Sequence, residues 1–205
     1  MDNLEYERKY LSKGLKNIAG VDEVGRGPLA GPVVCCAVIM PTDNLIDGVT
    51  DSKKLSEKKR AELDKIIRKT ALSFCIAEVS EKEIDEINIL NAVKKCMGKA
   101  VNGLSVKPDI TLVDGLDINL PINAEYVVKG DQKSYNISCA SIVAKVYRDN
   151  LMTEYAKTYP EYGFEKHKGY GTKTHIEKIM EIGPCKLHRR TFIKNFWVEP
   201  ENERR

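Results

Sequence analysis

Acidic residues stand at the ends of apolar segments at three places in this sequence. Asp22 and Glu23 close one such segment, Asp114 closes a second, and Asp131 follows a third. Carboxylates are depleted from strands and are costly to crowd without counter-charge. Three segments that each bring an acid to one edge of a sheet would therefore share a cation. Oxygen-only ligands favour Mg²⁺ or Mn²⁺, and a pair of such ions can support phosphodiester cleavage.

Any one of these acids taken alone is better explained as a turn former or a helix cap. Other catalytic patterns are weaker. His167, His175 and His188 lack the spacing of a zinc site, and we interpret them as surface residues or phosphate contacts. No GxSxG motif occurs, and the glycine-rich stretch 25–31 lacks the Lys-Ser/Thr ending of a phosphate-binding loop. The sequence thus gives no support for nucleophilic catalysis or for nucleoside-triphosphate hydrolysis.

Alternating strand and helix patterns would position the acids. Residues 18–22 and 32–40 are predicted strands joined by a turn rich in Gly and Pro, which favours antiparallel pairing. Ser56 is a candidate N-cap for an amphipathic helix over 56–70. The remaining predicted elements are a strand over 72–79, a helix over 81–104, strands over 110–114 and 126–128, and a helix that includes 137–155. This order predicts an α/β fold with a mixed sheet flanked by helices.

Composition limits the class of protein. The chain has 205 residues, 42% hydrophobic and 31% charged, with a net charge of +3, which is typical of a globular protein and not of a basic nucleic-acid coat. We expect a catalytic domain over 1–159 and a small helical, substrate-contacting appendage over 160–205. The six cysteines form no CxxC pair and are interpreted as buried thiols. Without an apolar membrane span or signal peptide, a cytoplasmic location is expected.

Several motifs, taken together and in order, resemble the ribonuclease HII family. They lie at residues 20–34 (GVDEVGRGPLAGPVV), 51–56 (DSKKLS), 112–115 (LVDG), 129–131 (KGD), 138–149 (SCASIVAKVYRD) and 167–172 (HKGYGT). The resemblance covers about residues 18–192. It implies the ribonuclease H-like fold, with a five-stranded mixed sheet. It also implies that Asp22, Glu23, Asp114 and Asp131 bind the metal, although Asp149 on the following helix competes for the fourth place.

The resemblance implies a function as well. Members are metal-dependent endoribonucleases that hydrolyse the RNA strand of RNA–DNA hybrids and nick on the 5′ side of ribonucleotides embedded in duplex DNA, by two-metal-ion catalysis. Gly25, Arg26 and Gly27 would contact the ribose 2′-hydroxyl, and Tyr170 would stack on the next sugar. Lys53 and Lys145 are the first candidates for phosphate contacts. Further candidates are Lys54, Lys133, Lys166, Lys168, Arg189 and Arg190.

Two alternatives remain at this stage. Ribonuclease HIII shares the catalytic domain but carries a sizeable N-terminal substrate-binding domain, for which a first motif that begins by residue 18 leaves no room. A catalytically silent hybrid-binding module would lack one of the acids, and all four are present. Residues 191–197 contain aromatic residues without the spacing of a sliding-clamp docking tail and are expected to pack as core. We expect a monomer that binds nucleic acid and no membrane.

Overall fold

A five-stranded mixed sheet forms the centre of the protein. The computed structural model describes residues 3–198. The strands are β1 (Ile18–Val24), β2 (Val33–Ile39), β3 (Ser73–Val79), β4 (Ile110–Asp114) and β5 (Ala124–Val127). Their order across the sheet is β3-β2-β1-β4-β5. β1 pairs antiparallel with β2 as predicted, and β4 runs parallel to both β1 and β5. The predicted mixed sheet is therefore confirmed.

Helices cover both faces of this sheet. They are α1 (Glu5–Leu11), α2 (Glu57–Thr70), α3 (Glu81–Ile87), α4 (Ile89–Asn102), α5 (Gly130–Lys133), α6 (Tyr135–Thr158), α7 (Phe164–His167), α8 (Lys173–Ile182) and α9 (Arg190–Ile193). The apolar side of α4 packs with Val21, Val33 and Val113 on one face. Residues of α2 and α6 pack with Val34, Cys36 and Val38 on the other. Within residues 3–198, no helix is long and apolar enough to cross a membrane.

The central helix α6 approaches the sheet most closely at Gly20. A Cβ atom at this position would lie 2.3 Å from the backbone carbon of Asn136, so only glycine fits. Ser134 caps the helix, because its side chain accepts a hydrogen bond from the Ile137 N–H. This close crossing fixes the first turns of α6 over β1, beside Asp22.

The predicted continuous helix over 81–104 is wrong. The chain forms two helices, α3 and α4, that are separated at Asn88, whose φ is 65°. The Asn88 side chain accepts a hydrogen bond from the Asn91 N–H and so caps α4. Because apolar residues continue at helical spacing through the break, periodicity alone did not reveal it. The longest helix of the described chain is α6, with 24 residues.

The segment after α6 has an apolar core of its own that also includes residues of the sheet domain. Tyr162, Phe164 and Ile179 pack against Ala30 and Met152. Residues 191–197 contribute to packing through Ile193, which is fully buried, and through three half-buried aromatic residues, Phe192, Phe196 and Trp197. Residues 199–205 of the predicted appendage lie outside the described residues. The six thiols are free; four are buried, while Cys75 and Cys185 are partly exposed.

The interpretation of His175 and His188 as surface residues or phosphate contacts is wrong, because both are buried. The Cys185 N–H donates to His188 Nδ1 at 2.9 Å, which leaves the ring proton on Nε2. His188 Nε2 then donates to His175 Nε2 at 3.0 Å, and His175 Nδ1 donates to the Tyr170 carbonyl at 2.8 Å. Burial lowers the pKa of His175 to about 4 and that of His188 to about 3.

These neutral histidines should make the fold sensitive to acid. An unfolded histidine titrates near pH ~6.5, so below that pH the unfolded state binds more protons than the native state, and stability falls as pH falls. Each histidine contributes a slope of up to ~1.4 kcal/mol per pH unit between its unfolded and folded pKa. In His188→Gln, which keeps a donor to His175, the slope between about pH 6 and pH 5 should be shallower by about this amount. Urea unfolding at several pH values measures it, and an unchanged slope would contradict the assignment.

Candidate active site

Strand pairing places three of the predicted acids at one edge of the sheet. Val21 of β1 is opposite Val113 of the parallel strand β4, so Asp22 and Asp114 follow at the same level. Asp22, Glu23 and Asp114 line one cleft with a volume of about 350 Å³. Asp22 is the most enclosed of the three, with 8% of its surface exposed.

A main-chain N–H or an arginine engages one oxygen of each of these acids. Asp22 Oδ1 accepts from the Glu23 N–H at 2.7 Å, and Asp114 Oδ1 accepts from the Gly130 N–H at 2.6 Å. Glu23 Oε1 pairs with Arg26 Nη1 at 3.1 Å. No second hydrogen bond is recorded within residues 3–198 for Glu23 Oε2 or Asp114 Oδ2, which remain available to a ligand.

The acids carry more negative charge than their surroundings neutralise. Burial, followed by repulsion from Glu23 and Asp114, raises the pKa of Asp22 well above its ordinary value. Burial also raises the pKa of Glu23, although Arg26 opposes the shift. In residues 3–198 no group of three His, Cys, Asp or Glu side chains is arranged closely enough to hold a metal ion. The chemistry of these acids, which offer only oxygen donors and an excess of negative charge, nevertheless fits a hard divalent cation.

Asp131 lies close to this group but does not line the same cleft. It follows Gly130, whose N–H binds Asp114, and lines a second cleft of about 320 Å³. Burial raises the pKa of Asp131, and the negative charges of Asp114 and Asp51 raise it further. Asp51 is a buried acid that the sequence analysis did not single out, although it begins the DSKKLS motif.

Asp149 is held by two cations. Its Oδ1 accepts from Lys145 Nζ at 2.7 Å, and its Oδ2 is 4.0 Å from Arg60 Nη2. Lys145 also lines the acidic cleft, as does the exposed Lys53. The geometry therefore places Asp149 behind Lys145. There it orients the ammonium group of Lys145, which faces the acids.

Two serines of the cleft were missed by the sequence analysis. Ser141, on α6, hydrogen-bonds Asp22 and lowers its pKa in opposition to burial. Its hydroxyl also lies 2.9 Å from that of Ser52, which precedes Lys53. Both serines occur within motifs that were noted, but hydroxyls are too common in sequences to mark a site without its geometry.

The glycine turn after β1 and Tyr170 lie side by side. Gly25 has φ 95°, and a Cβ at Gly27 would lie 3.8 Å from the ring of Tyr170. The Leu29 N–H donates to the Gly169 carbonyl at 2.8 Å and joins the two segments. Tyr170 is 43% exposed and lines the cleft. A flat aromatic face is thus presented beside the acids and the turn.

The predicted phosphate contact through Arg189 is wrong. Its side chain is fully buried and donates to the carbonyls of Gly25, Arg26 and Gly31, so it cannot reach a phosphate. Arg148, which the sequence analysis did not single out, is buried in the same way and donates to the carbonyls of Ala30, Pro32 and Lys168. Charge alone suggests solvent for both residues, and only the fold reveals their acceptors.

Comparisons with known proteins agree with this arrangement. The family model of ribonuclease HII matches residues 19–199. A ribonuclease HII of Caldicellulosiruptor bescii is 53% identical over 192 residues, 93% of this chain and 93% of that protein. One of Bacillus subtilis is 54% identical over 187 residues, 91% of this chain and 73% of that protein. The solved ribonuclease H2 of Pyrococcus horikoshii superposes with a TM-score of 0.74 at 29% identity, covering 86% of this chain and 93% of that chain. The shared fold confirms the expected ribonuclease H-like architecture.

Removing one negative charge should stabilise the metal-free protein. Because the folded pKa of Asp22 is raised, its ionisation costs more in the native than in the unfolded state, and stability is lost as pH rises through the folded pKa. At neutral pH, Asp22→Asn should raise the free energy of unfolding by about 0.5–2 kcal/mol. The gain should vanish at a pH low enough for the Asp22 carboxyl to be protonated in both the folded and the unfolded state.

Urea unfolding in chelator measures this gain, and Asp117→Asn, at an exposed acid beyond β4, is the control. Added Mg²⁺ should stabilise the wild type more than Asp22→Asn, since a ligand stabilises the state that binds it. A variant that is no more stable than the wild type at neutral pH would contradict the electrostatic account.

Proposed function

Because the chain belongs to the ribonuclease HII family, we propose that it nicks duplexes on the 5′ side of embedded ribonucleotides and also cuts the RNA strand of RNA–DNA hybrids. Membership makes it a hydrolytic endoribonuclease of the ribonuclease H class that depends on a divalent metal. The proposed products carry a 3′-hydroxyl and a 5′-phosphate. The proposal is supported most by the cleft that Asp22, Glu23 and Asp114 share, beside a glycine turn and an exposed tyrosine, where the pKa values of Asp22 and Glu23 are raised.

Asp22, Glu23, Asp114 and Asp131 are the residues proposed to hold Mg²⁺ or Mn²⁺. Two such ions, when bound, would activate a water for in-line attack and stabilise the departing 3′-oxygen. Asp22 and Asp114 provide rigid positions, because one oxygen of each is fixed by a main-chain N–H. Asp131 would add the fourth carboxylate from the start of α5.

Cations at the rim of the cleft would hold the nucleic-acid backbone. Lys53 and Lys145 line the cleft with the acids, and we propose that both contact phosphates near the scissile bond. Asp149, which is also paired with Arg60, holds Lys145 from behind. The glycine turn brings main chain close to a bound sugar, and Tyr170 offers a ring on which the next sugar can stack.

We also propose the division into a catalytic domain (1–159) and a substrate-contacting appendage (160–205). Its support is Tyr170, which belongs to the second segment and lines the cleft of the first. The proposed substrates are RNA–DNA hybrids and ribonucleotide-containing duplex DNA. We propose that the protein binds them as a monomer in the cytoplasm. The primary experiment is cleavage of a duplex that contains one ribonucleotide, with Mg²⁺, with Mn²⁺ and with chelator. No cut with either metal would refute the proposal.

Asp114→Asn should abolish cleavage while leaving the fold and duplex binding nearly intact. Mutation of a residue that only supports a metal ligand typically lowers metal affinity or activity by ~10- to 100-fold. For a direct ligand we therefore expect turnover to fall by more than roughly a hundredfold. Turnover at saturating Mg²⁺ measures it, and Asp117→Asn should cut like the wild type. Substantial turnover in Asp114→Asn would remove this residue from the metal set.

Asp131→Asn should lose more turnover than Asp149→Asn. Asp131 repels Asp114 and can share a cation with it, whereas Asp149 already has Lys145 and Arg60 as partners. In Asp149→Asn we expect mainly a loss of stability, because two cations lose their acceptor. Parallel measurements of turnover and of urea unfolding compare the two variants, and the reverse order in turnover would transfer the fourth ligand to α6.

Tyr170→Ala should depress cleavage at single embedded ribonucleotides more than cleavage of long hybrids. An aromatic stack on a nucleotide is worth ~1–3 kcal/mol, or roughly ten- to a hundredfold in rate. In a long hybrid the sugar beneath the ring is ribose, which we expect to stack less well. The measurement is kcat/KM for both substrates. Equal losses would show a general binding or packing role.

A further inference from the structure

Two fully buried arginines lie beneath the glycine turn, and the hydrogen bonds that they donate within residues 3–198 all go to main-chain carbonyls. Neither Arg148 nor Arg189 forms an ion pair with a carboxylate in the part of the chain that the structure describes. A buried charge is costly unless its hydrogen bonds are satisfied, and here all the recorded acceptors are peptide oxygens. The two guanidiniums therefore determine where these peptide groups point.

Arg189 binds two successive peptide groups of the turn. Its Nη2 donates to the Gly25 carbonyl at 2.6 Å, and its Nη1 donates to the Arg26 carbonyl at 2.9 Å. In a trans peptide, the carbonyl of one residue and the N–H of the next point in opposite directions. The N–H groups of Arg26 and Gly27 therefore point away from Arg189.

These two N–H groups have no protein acceptor within residues 3–198. Gly27 lies against the ring of Tyr170, which lines the acidic cleft. The N–H groups of Arg26 and Gly27 thus point away from the protein interior, on the side where a sugar would bind. A carbonyl that binds a guanidinium is also polarised, which strengthens the N–H of the same peptide as a donor.

We propose that Arg189 is a positioning residue for ribose selection, which directs the N–H groups of Arg26 and Gly27 at the 2′-hydroxyl oxygen of the ribonucleotide. The inference rests on the proposed function and adds the residue that makes the turn selective. Arginine suits this role because its planar fork reaches the two carbonyls together, while Nε and Nη2 also bind the Gly31 carbonyl. Lysine carries its donors on one nitrogen and lacks this rigid fork, so it would not hold the peptide groups in the same orientation.

Arg148 provides a matched control. It is as buried as Arg189, but its acceptors are the carbonyls of Ala30, Pro32 and Lys168. None of these carbonyls shares a peptide with the N–H of Arg26 or Gly27. Arg148→Lys should therefore disturb packing near the turn without redirecting the two donors.

The experiment measures binding, in chelator, of two labelled duplexes to the full chain. One duplex contains a single ribonucleotide and the other is entirely DNA of the same sequence. In Arg189→Lys we expect the ratio of the two affinities to fall roughly tenfold, the value of one or two hydrogen bonds. In Arg148→Lys the ratio should stay at the wild-type value, even where both affinities and the melting temperature fall.

An undiminished ratio in Arg189→Lys, or equal reductions in both variants, would overturn the inference and leave the proposed function standing. A wild type that does not distinguish the duplexes would also overturn the inference, whereas the proposed function depends on the cleavage experiment. If Arg189→Lys does not fold, nuclear magnetic resonance of the wild type decides, because the amide protons of Arg26 and Gly27 should shift downfield with the ribonucleotide duplex only. Identical shifts with both duplexes would refute the role of these donors.

Discussion

Repulsion among carboxylates at one edge of the sheet is the constraint around which the other elements are arranged. Asp22 and Asp114 are adjacent because β1 and β4 are parallel and in register. Gly20 allows α6 to cross β1 closely enough for Ser141 to reach Asp22. Main-chain N–H groups and one arginine offset part of the charge. The part that remains would favour a bound cation, so the protein retains an unfavourable interaction that cation binding at the proposed site would relieve.

Beneath the glycine turn the buried charge is positive. There, two guanidinium charges are buried without an acid, and peptide oxygens act as their partners. An acid in that position would have neutralised the arginines but left the turn without fixed peptide groups. The acidic cleft and the two buried arginines thus both adjoin the glycine turn. The buried histidines complete the support, since His175 holds the carbonyl of Tyr170.

The sequence predicted the sheet, most of the helices and the approach of Asp22, Glu23 and Asp114 to one edge of the sheet, because the spacing of apolar residues and the order of elements along the chain leave few alternatives. It failed at Asn88, where apolar residues keep helical spacing across a break that depends on one capping side chain. It also failed for His175, His188 and Arg189, which are polar residues that the fold buries. Composition places such residues on the surface, and only tertiary structure supplies their hydrogen bonds. The clustering of Asp51 with Asp131 was unpredictable for the same reason.

The bond between Gly25 and Arg189 joins residues 164 positions apart. During synthesis, every carboxylate of the cluster leaves the ribosome before the arginine that fixes the turn. A chain released early, or one shortened by proteolysis before residue 189, would keep all the candidate metal ligands and lose the support of the glycine turn. The proposed selection of ribose would therefore depend on a residue that is synthesised after all of the candidate metal ligands.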